Sequence, residues 1–227
     1  MCGRFCSALP ADELARIFAT LGPLPNLPPN WNVAPTQPAV GVRLHPETGA
    51  RTMSVLNWGL LPHFTTDPKT ARRPINARAE TVATSPLFRG AVARRRCLIP
   101  ADAYYEWISM PDGKQPYAIA RADGAPLALG GLWEGYRSPE GEVTRSFAII
   151  TVAASPDLRT LHERMPLVLD PADWPAWLGE AAADPSALLR AAPPGTLRFW
   201  QVGRAVNSVR NNGASLLAPD PSIAGGA

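Results

Sequence analysis

The 227-residue chain has only three cysteines, Cys2, Cys6 and Cys97, at irregular spacing. That excludes a disulfide framework and points to a reducing cytoplasm. No C-x-x-C pair occurs and the thiols fit no standard zinc spacing, so no metal and no cofactor are expected. No run of about 18 apolar residues is present, and no charged-then-apolar leader, which excludes a membrane-spanning helix and a signal peptide. Repeats and linker-like stretches are also lacking. Residues 1–217 are therefore expected to form one domain, followed by a disordered tail over 218–227. Acid is scarce in one place above all. Between Arg72 and Arg96 a single Glu80 stands against seven arginines, although the net charge of the whole chain is only +3. Such a stretch suits a phosphate-rich partner or forms a plain solvated basic face, and the planar guanidinium fork favours phosphate.

What is present begins with 26 prolines and an ordinary hydrophobic content of 46%, which together predict a packed core built from short elements. Leu14, Ile17, Phe18 and Leu21 recur at helical spacing, predicting a helix over 12–21 that stops at Gly22. Residues 23–35, rich in Pro and Asn, read as loop. Strands are expected over 38–44, 52–61, 97–100, 103–107, 116–121, 127–136 and 146–153, with a break at Pro100. A short helix is expected over 85–92, and 62–75 reads as an exposed loop. Asp170-Pro171 and Asp184-Pro185 look like helix starts, each a capping acid followed by proline. Strands crowd the middle without β-α-β alternation. The expected fold is α+β, a mostly antiparallel and partly closed, barrel-like sheet surrounded by short helices.

The N-terminus carries chemistry of its own. Once Met1 is removed, Cys2 presents an α-amine of pKa about 7.7–8.0 beside a thiol near 8.5. About a tenth of that amine is neutral at pH 7, a few hundred-fold more than for a lysine near 10.4. A vicinal aminothiol condenses with an aldehyde to an imine, and the thiol then closes a thiazolidine ring. Gly3 lets the backbone approach a ligand. Cysteine is also a common buried residue, so Cys2 has a purely structural reading as well. Asn76, Glu106 and His162 are polar residues in apolar or stiffened surroundings. Glu106 lies among Tyr104, Tyr105 and Trp107, where a carboxyl pKa rises toward neutrality. His162 is an acid–base candidate or a capping histidine, and Asn76 an orienting amide or a turn residue.

Nine segments, in order, resemble the SRAP (SOS-response-associated peptidase) family of abasic-site processing proteins. They are Met1-Cys2-Gly3-Arg4-Phe5, Asn32-Val33-Ala34-Pro35, Trp58-Gly59-Leu60-Leu61-Pro62, Ile75-Asn76-Ala77-Arg78-Ala79-Glu80-Thr81, Cys97-Leu98-Ile99-Pro100-Ala101-Asp102, Tyr105-Glu106-Trp107, Lys114-Gln115-Pro116-Tyr117, His162-Glu163-Arg164-Met165-Pro166 and Val206-Asn207-Ser208-Val209-Arg210-Asn211. The resemblance implies covalent capture of abasic sites in single-stranded DNA, with Cys2, Asn76, Glu106 and His162 as the catalytic set. It implies DNA contacts at Arg4, Arg78 and Arg164 for phosphates and at Pro35, Trp107 and Thr151 beside the strand. Where the family usually has Trp, this chain has His63-Phe64, which makes Phe64 the expected stacking side chain. Pro86 stands where some members place an arginine. The peptidase label implies self-cleavage of the Met1–Cys2 bond, a step that an aminopeptidase performs equally well. A cytoplasmic monomer, associated with the nucleoid when on DNA, is expected. Two other function classes remain open on the residues alone: an N-terminal-nucleophile amidohydrolase, in which the thiol attacks an amide, and a non-catalytic reader of modified DNA. The covalent reading requires Cys2 to reach a cleft.

Overall fold

The computed structural model describes residues 2–220. In chain order its first half contains β1 (Phe5–Ser7), α1 (Ala11–Phe18), β2 (Asn30–Val33), β3 (Pro38–Leu44), β4 (Arg51–Trp58), β5 (Asn76–Arg78), α2 (Ala79–Val82) and α3 (Arg89–Arg94). Then come β6 (Arg96–Ala101), β7 (Ala103–Met110), β8 (Gly113–Arg121), β9 (Leu127–Arg137), β10 (Val143–Ala153), β11 (Arg164–Pro166), α4 (Trp174–Leu178) and β12 (Leu197–Gln201). The fold is mixed α+β with mostly antiparallel sheets. Among the described residues no helix is long and apolar enough to cross a membrane.

Five strands close into a ring. β9 pairs antiparallel with β10, β10 runs parallel to β4 at Ser146↔Asn57 and Phe147↔Trp58, and β4 pairs with β3. β3 touches β6 at Val42↔Leu98, and β6 returns to β9. The closure is tight at β9. A Cβ on Gly131 would lie 3.1 Å from Cys97 Sγ and 3.3 Å from the Ala148 carbonyl, and one on Gly130 only 2.6 Å from Leu167. Glycine is what lets the backbones approach so closely. β10 is buried from Ser146 to Val152, the signature of a strand covered on both faces rather than alternating. Its second half carries two three-residue strands, β5 in parallel on one edge and β11 antiparallel on the other.

The second sheet has the order β12-β8-β7-β1-β2. β7 sorts its side chains by alternation. Tyr104 joins the main core with Phe5, Trp58 and Phe147, whereas Ala103 and Tyr105 join a smaller cluster with Cys6, Ala118, Val202 and Val206. The chain passes from the ring to this sheet at Asp102, whose carboxylate accepts the Ala8 amide at 2.7 Å.

Several local expectations shift. The first helix ends at Phe18 because Ala19 takes the left-handed conformation, leaving Leu21 exposed. The Pro-rich stretch over 23–35 contains β2, held by pairing with β1. Pro100 does not break β6, since β3 covers that strand's other edge only near Leu98 and proline is tolerated at an unpaired edge. The helix expected over 85–92 starts four residues later, after a turn closed on the Ser85 carbonyl. Asp184 caps a 3-10 turn through the Ser186 amide, but Asp170 turns away to Arg121 at 2.8 Å. Residues 218–220 still belong to the fold. Pro219 bridges Val202 and the Asp220 amide donates to Gln201 at 2.9 Å. The rest of the expected tail, 221–227, lies outside the described residues.

Trp58 packs the ring of strands against the second sheet. Fully buried, it stands edge-on to Phe5 at 5.0 Å and stacks on Phe147 at 6.0 Å. Its indole N–H donates to the Ile75 carbonyl at 2.9 Å, fixing the start of β5. Trp58→Phe, which removes that donor and part of the ring, is expected to cost about 1–3 kcal/mol in urea unfolding. A change below about 0.5 kcal/mol would contradict this anchoring role.

Candidate active site

Glu106 is placed by the register of β1 on β7. Phe5 lies opposite Tyr104 and the Tyr105 amide donates to the Arg4 carbonyl at 3.0 Å. Continued by one residue, this register sets Gly3 beside Glu106. By alternation Glu106 shares the face of Tyr104, toward the cluster holding Cys2 and Phe5, and it is 5% exposed. Burial pushes its carboxyl pKa up, while the chain's amino terminus and His162 pull it back. Cys2 has no exposed surface. Its thiol pKa is raised, first by burial and then by the Glu106 charge. Cys2 sits with Phe5 rather than with Arg4, so strand alternation breaks at Gly3.

Asn76 heads β5 and lies beside Ile149 of β10. Its side-chain amide donates to the Cys2 carbonyl at 2.8 Å. Its Oδ1 is buried with no hydrogen-bond partner among the described residues. His162 lies just before β11 and its Nδ1 accepts the Arg164 amide at 2.9 Å. In the neutral ring the proton is therefore on Nε2, which is left for chemistry. The four expected catalytic residues thus come together: Cys2 with Asn76 through a hydrogen bond, Cys2 with Glu106 and Glu106 with His162 through charge.

The expected DNA contacts divide into groups. Arg4 is half-buried, donating to Asn32 Oδ1 at 2.6 Å and to the Val206 carbonyl at 3.0 Å, and its guanidinium lies 5.6 Å from the Trp107 ring centre. Arg164 forms a two-pronged ion pair with Glu80 and donates to the Thr151 carbonyl at 2.5 Å and its hydroxyl at 3.2 Å. Thr151 is fully buried, so its side chain has no surface for a strand to touch. Arg78 is exposed in β5, opposite Thr151 in register. Pro35 leads a turn closed by the Gln37 amide on the Ala34 carbonyl at 3.1 Å. Thr36, the next residue, has φ +75°, a conformation that favours glycine or asparagine. Phe64 is 58% exposed, edge-on to His63 at 5.3 Å. His63 is held in turn by Glu134 at 3.0 Å, a buried carboxylate paired with Arg95 at 2.6 Å.

Some supporting residues escaped the sequence reading. Asn32 is 1% exposed and ties Arg4 to the chain's far end, donating to the Ser208 carbonyl at 2.9 Å and that of Asn211 at 3.0 Å. Its place between Trp31 and Val33 was the available signal, a lone amide in a strand-like context. Glu80 and Glu134 as arginine partners had no local signal. Cys6 and Cys97 are buried free thiols, Cys6 lying 3.6 Å from Asp102. The expectation that Cys2 opens on a cleft is not met. Cys2 is fully enclosed and lines none of the described cavities.

The Glu106 environment has a measurable consequence. A carboxyl whose folded pKa is raised above its ordinary value near 4.5 holds its proton more tightly in the fold. Its contribution is full below the unfolded pKa and is lost as pH rises through the folded value. Glu106→Gln, neutral throughout, is expected to be more stable than wild type at about pH 8 and to lose that advantage as pH falls toward about 4. A stability difference that does not change with pH would contradict the buried, raised carboxyl.

A family model described as SOS response associated peptidase (SRAP) matches residues 1–209. The chain is 34% identical over 223 residues to the abasic site processing protein YoqW of Bacillus subtilis (strain 168), covering 96% of this chain and 99% of that protein. It is 32% identical to the abasic site processing protein YedK of Escherichia coli (strain K12), over 96% of this chain and 100% of that one. Against the abasic site processing protein HMCES of Rattus norvegicus the identity is 30%, over 96% and 76% respectively. A crystal structure of a Bordetella bronchiseptica protein superposes with a TM-score of 0.76 at 30% identity, covering 89% of this chain and all of that one. A Bacteroides thetaiotaomicron protein shares the fold with a TM-score of 0.84 at 20% identity, over 96% and 99%. On the match across residues 1–209, the chain belongs to the SRAP family.

Proposed function

We propose that this protein captures abasic sites in single-stranded DNA by condensing the amine and thiol of Cys2 with the sugar aldehyde. The observation that carries the reading is the convergence on Cys2. Asn76 fixes its carbonyl, Glu106 lies within electrostatic reach of its thiol, and His162 lies within electrostatic reach of Glu106. Polar atoms of Arg4, Asn76 and Arg164 are buried without partners among the described residues, which is expensive in a folded protein unless a ligand completes them. The names of the relatives, abasic site processing proteins, support the same substrate.

The mechanism starts with loss of Met1, by self-cleavage or by an aminopeptidase. This frees the Cys2 amine. His162, working through Nε2–H, donates a proton to the sugar ring oxygen as the ring opens to the aldehyde. The amine adds to the carbonyl carbon, and the carbinolamine loses water to give the imine. The thiol, kept protonated by burial, is a weak competitor at that stage. Its sulfur then bonds to the imine carbon while its proton passes, through Glu106, to the nitrogen, which closes the thiazolidine with release of one water overall. Both nucleophiles arrive on a single residue, so proximity supplies much of the rate.

Strand binding rests on Arg4, Trp107 and the exposed Arg78, with Pro35 and Phe64 beside the bases. Arg164 serves a phosphate with one face while Glu80 and Thr151 hold it. Thr151 acts by positioning that arginine rather than by touching DNA. Backbone contacts make binding salt-sensitive and tolerant of sequence. The protein acts as a monomer in the cytoplasm, on the nucleoid when engaged.

Incubation with single-stranded DNA bearing one abasic site should give a shifted band on a denaturing gel for wild type and none for Cys2→Ala. Cys2→Ser should give an imine that borohydride traps and that otherwise decays. Glu106→Gln and His162→Ala should slow band formation about 100- to 10,000-fold with DNA binding retained. A band that survives Cys2→Ala, or an adduct on protein that retains Met1, would overturn the reading.

A further inference from the structure

The sheet carries a second set of groups beside Arg4 and Trp107 that the capture chemistry does not use. Lys114 lies opposite Ser109 on β8, and Trp107 lies opposite Pro116. Lys114 and Trp107 are therefore diagonal neighbours on one sheet face, within reach of long side chains. Asn207 closes the far side from the 3-10 turn Arg204–Asn207, and its Oδ1 accepts the Trp107 indole N–H at 2.7 Å. These four residues line a cavity of about 350 Å³.

The groups are prepared to unequal degrees, and the difference identifies the ligand. Trp107 is fixed by its bond to Asn207 and by the Arg4 guanidinium 5.6 Å from its ring centre. It is a rigid aromatic platform. Arg4 is held by Asn32 and the Val206 carbonyl, and its Nε–H is buried with no partner among the described residues. Lys114 is exposed and has no acidic partner among the described residues. A stiff ring flanked by an incompletely satisfied arginine and an unpaired ammonium matches a planar base joined to an anion.

We infer that Trp107, Lys114 and Asn207 form, with Arg4, a subsite for one intact nucleotide of the strand next to the lesion, its base on Trp107 and its phosphate on Lys114. The inference rests on the reading of this protein as a single-stranded DNA binder. It adds Lys114 as a phosphate ligand and Asn207 as the residue that orients the ring. The subsite tells a lesion within a strand from a free sugar phosphate, because only the former brings a neighbouring base.

The test uses the full chain with Cys2→Ala, so that covalent capture plays no part, and follows undamaged oligodeoxythymidine by fluorescence anisotropy. Lys114→Gln should weaken binding about three- to tenfold at low salt and flatten the log–log salt slope by about 0.7. Trp107→Leu should cost about tenfold on the thymidine strand and almost nothing on a strand of base-less tetrahydrofuran phosphates. Asn207→Asp keeps the acceptor for the indole but brings a negative charge to the phosphate, and should weaken binding at least as much as Lys114→Gln. Lys114→Gln with unchanged affinity and salt slope would overturn the subsite. Free dAMP binding as tightly as the strand would also overturn it, by showing a mononucleotide site instead. Failure of wild type to capture abasic DNA would remove the proposed chemistry and leave these binding results standing.

Discussion

The hydrogen bond from Asn76 to the Cys2 carbonyl joins the two sheets at the point where the chemistry is proposed. Cys2 precedes β1 of one sheet, and Asn76 opens β5, which exists only as a partner of β10 in the other. A chain terminus ordinarily frays, and one hydrogen bond worth about 1 kcal/mol would not hold it. Burial does most of the holding. Phe5 is fully enclosed against Trp58, and removing such a side chain from water contributes about 1.5–3 kcal/mol. Burial anchors the segment, and Asn76 sets the direction in which residue 2 points. Asn76 is itself held because the Ile75 carbonyl before it accepts both the Trp58 indole and the Ile149 amide, each at 2.9 Å.

The dryness that anchors Cys2 also sets its acid–base character. Burial raises the Glu106 carboxyl and the Cys2 thiol together, and the charge of Glu106 raises the thiol further. The proposed site therefore favours neutral partners that exchange protons over fixed ions. That suits a sequence in which an amine adds, water leaves and a thiol closes the ring. Fixed charge is kept to the rim, where Arg164 is balanced by Glu80 and Arg4 is held by carbonyl and amide oxygens.

Periodicity revealed the long strands and little of the site. β3 runs over the residues that alternation indicates, and β9 and β10 extend their expected spans by a few residues. β1, β2, β5 and β11 were not seen, and these short strands carry or adjoin Arg4, Asn32, Asn76, Arg78 and Arg164. Three or four residues hold no measurable period, and polar Asn and Arg oppose strand propensity. Such segments become strands because long neighbours offer free edges, which is tertiary information. β10 shows this best, with β5 and β11 added to the two edges of its second half. Thr151 was read as a strand contact, although its place in the apolar run from Phe147 to Val152 already indicated burial. Asn76, Glu106 and His162 stood out as polar residues in apolar surroundings, but family resemblance, not spacing, joined them to Cys2. The pairings Arg164–Glu80 and His63–Glu134 join residues 84 and 71 positions apart, beyond any local pattern.

The most direct measurement is mass spectrometry of the N-terminal peptide after reaction with abasic single-stranded DNA and digestion of both nucleic acid and protein. The account predicts a peptide that begins at Cys2 and carries the deoxyribose remnant, with neither its amine nor its thiol open to alkylation. A remnant on a lysine, a modified peptide that still begins with Met1, or a modified Cys2 whose thiol remains free to alkylate would contradict joint capture by nitrogen and sulfur.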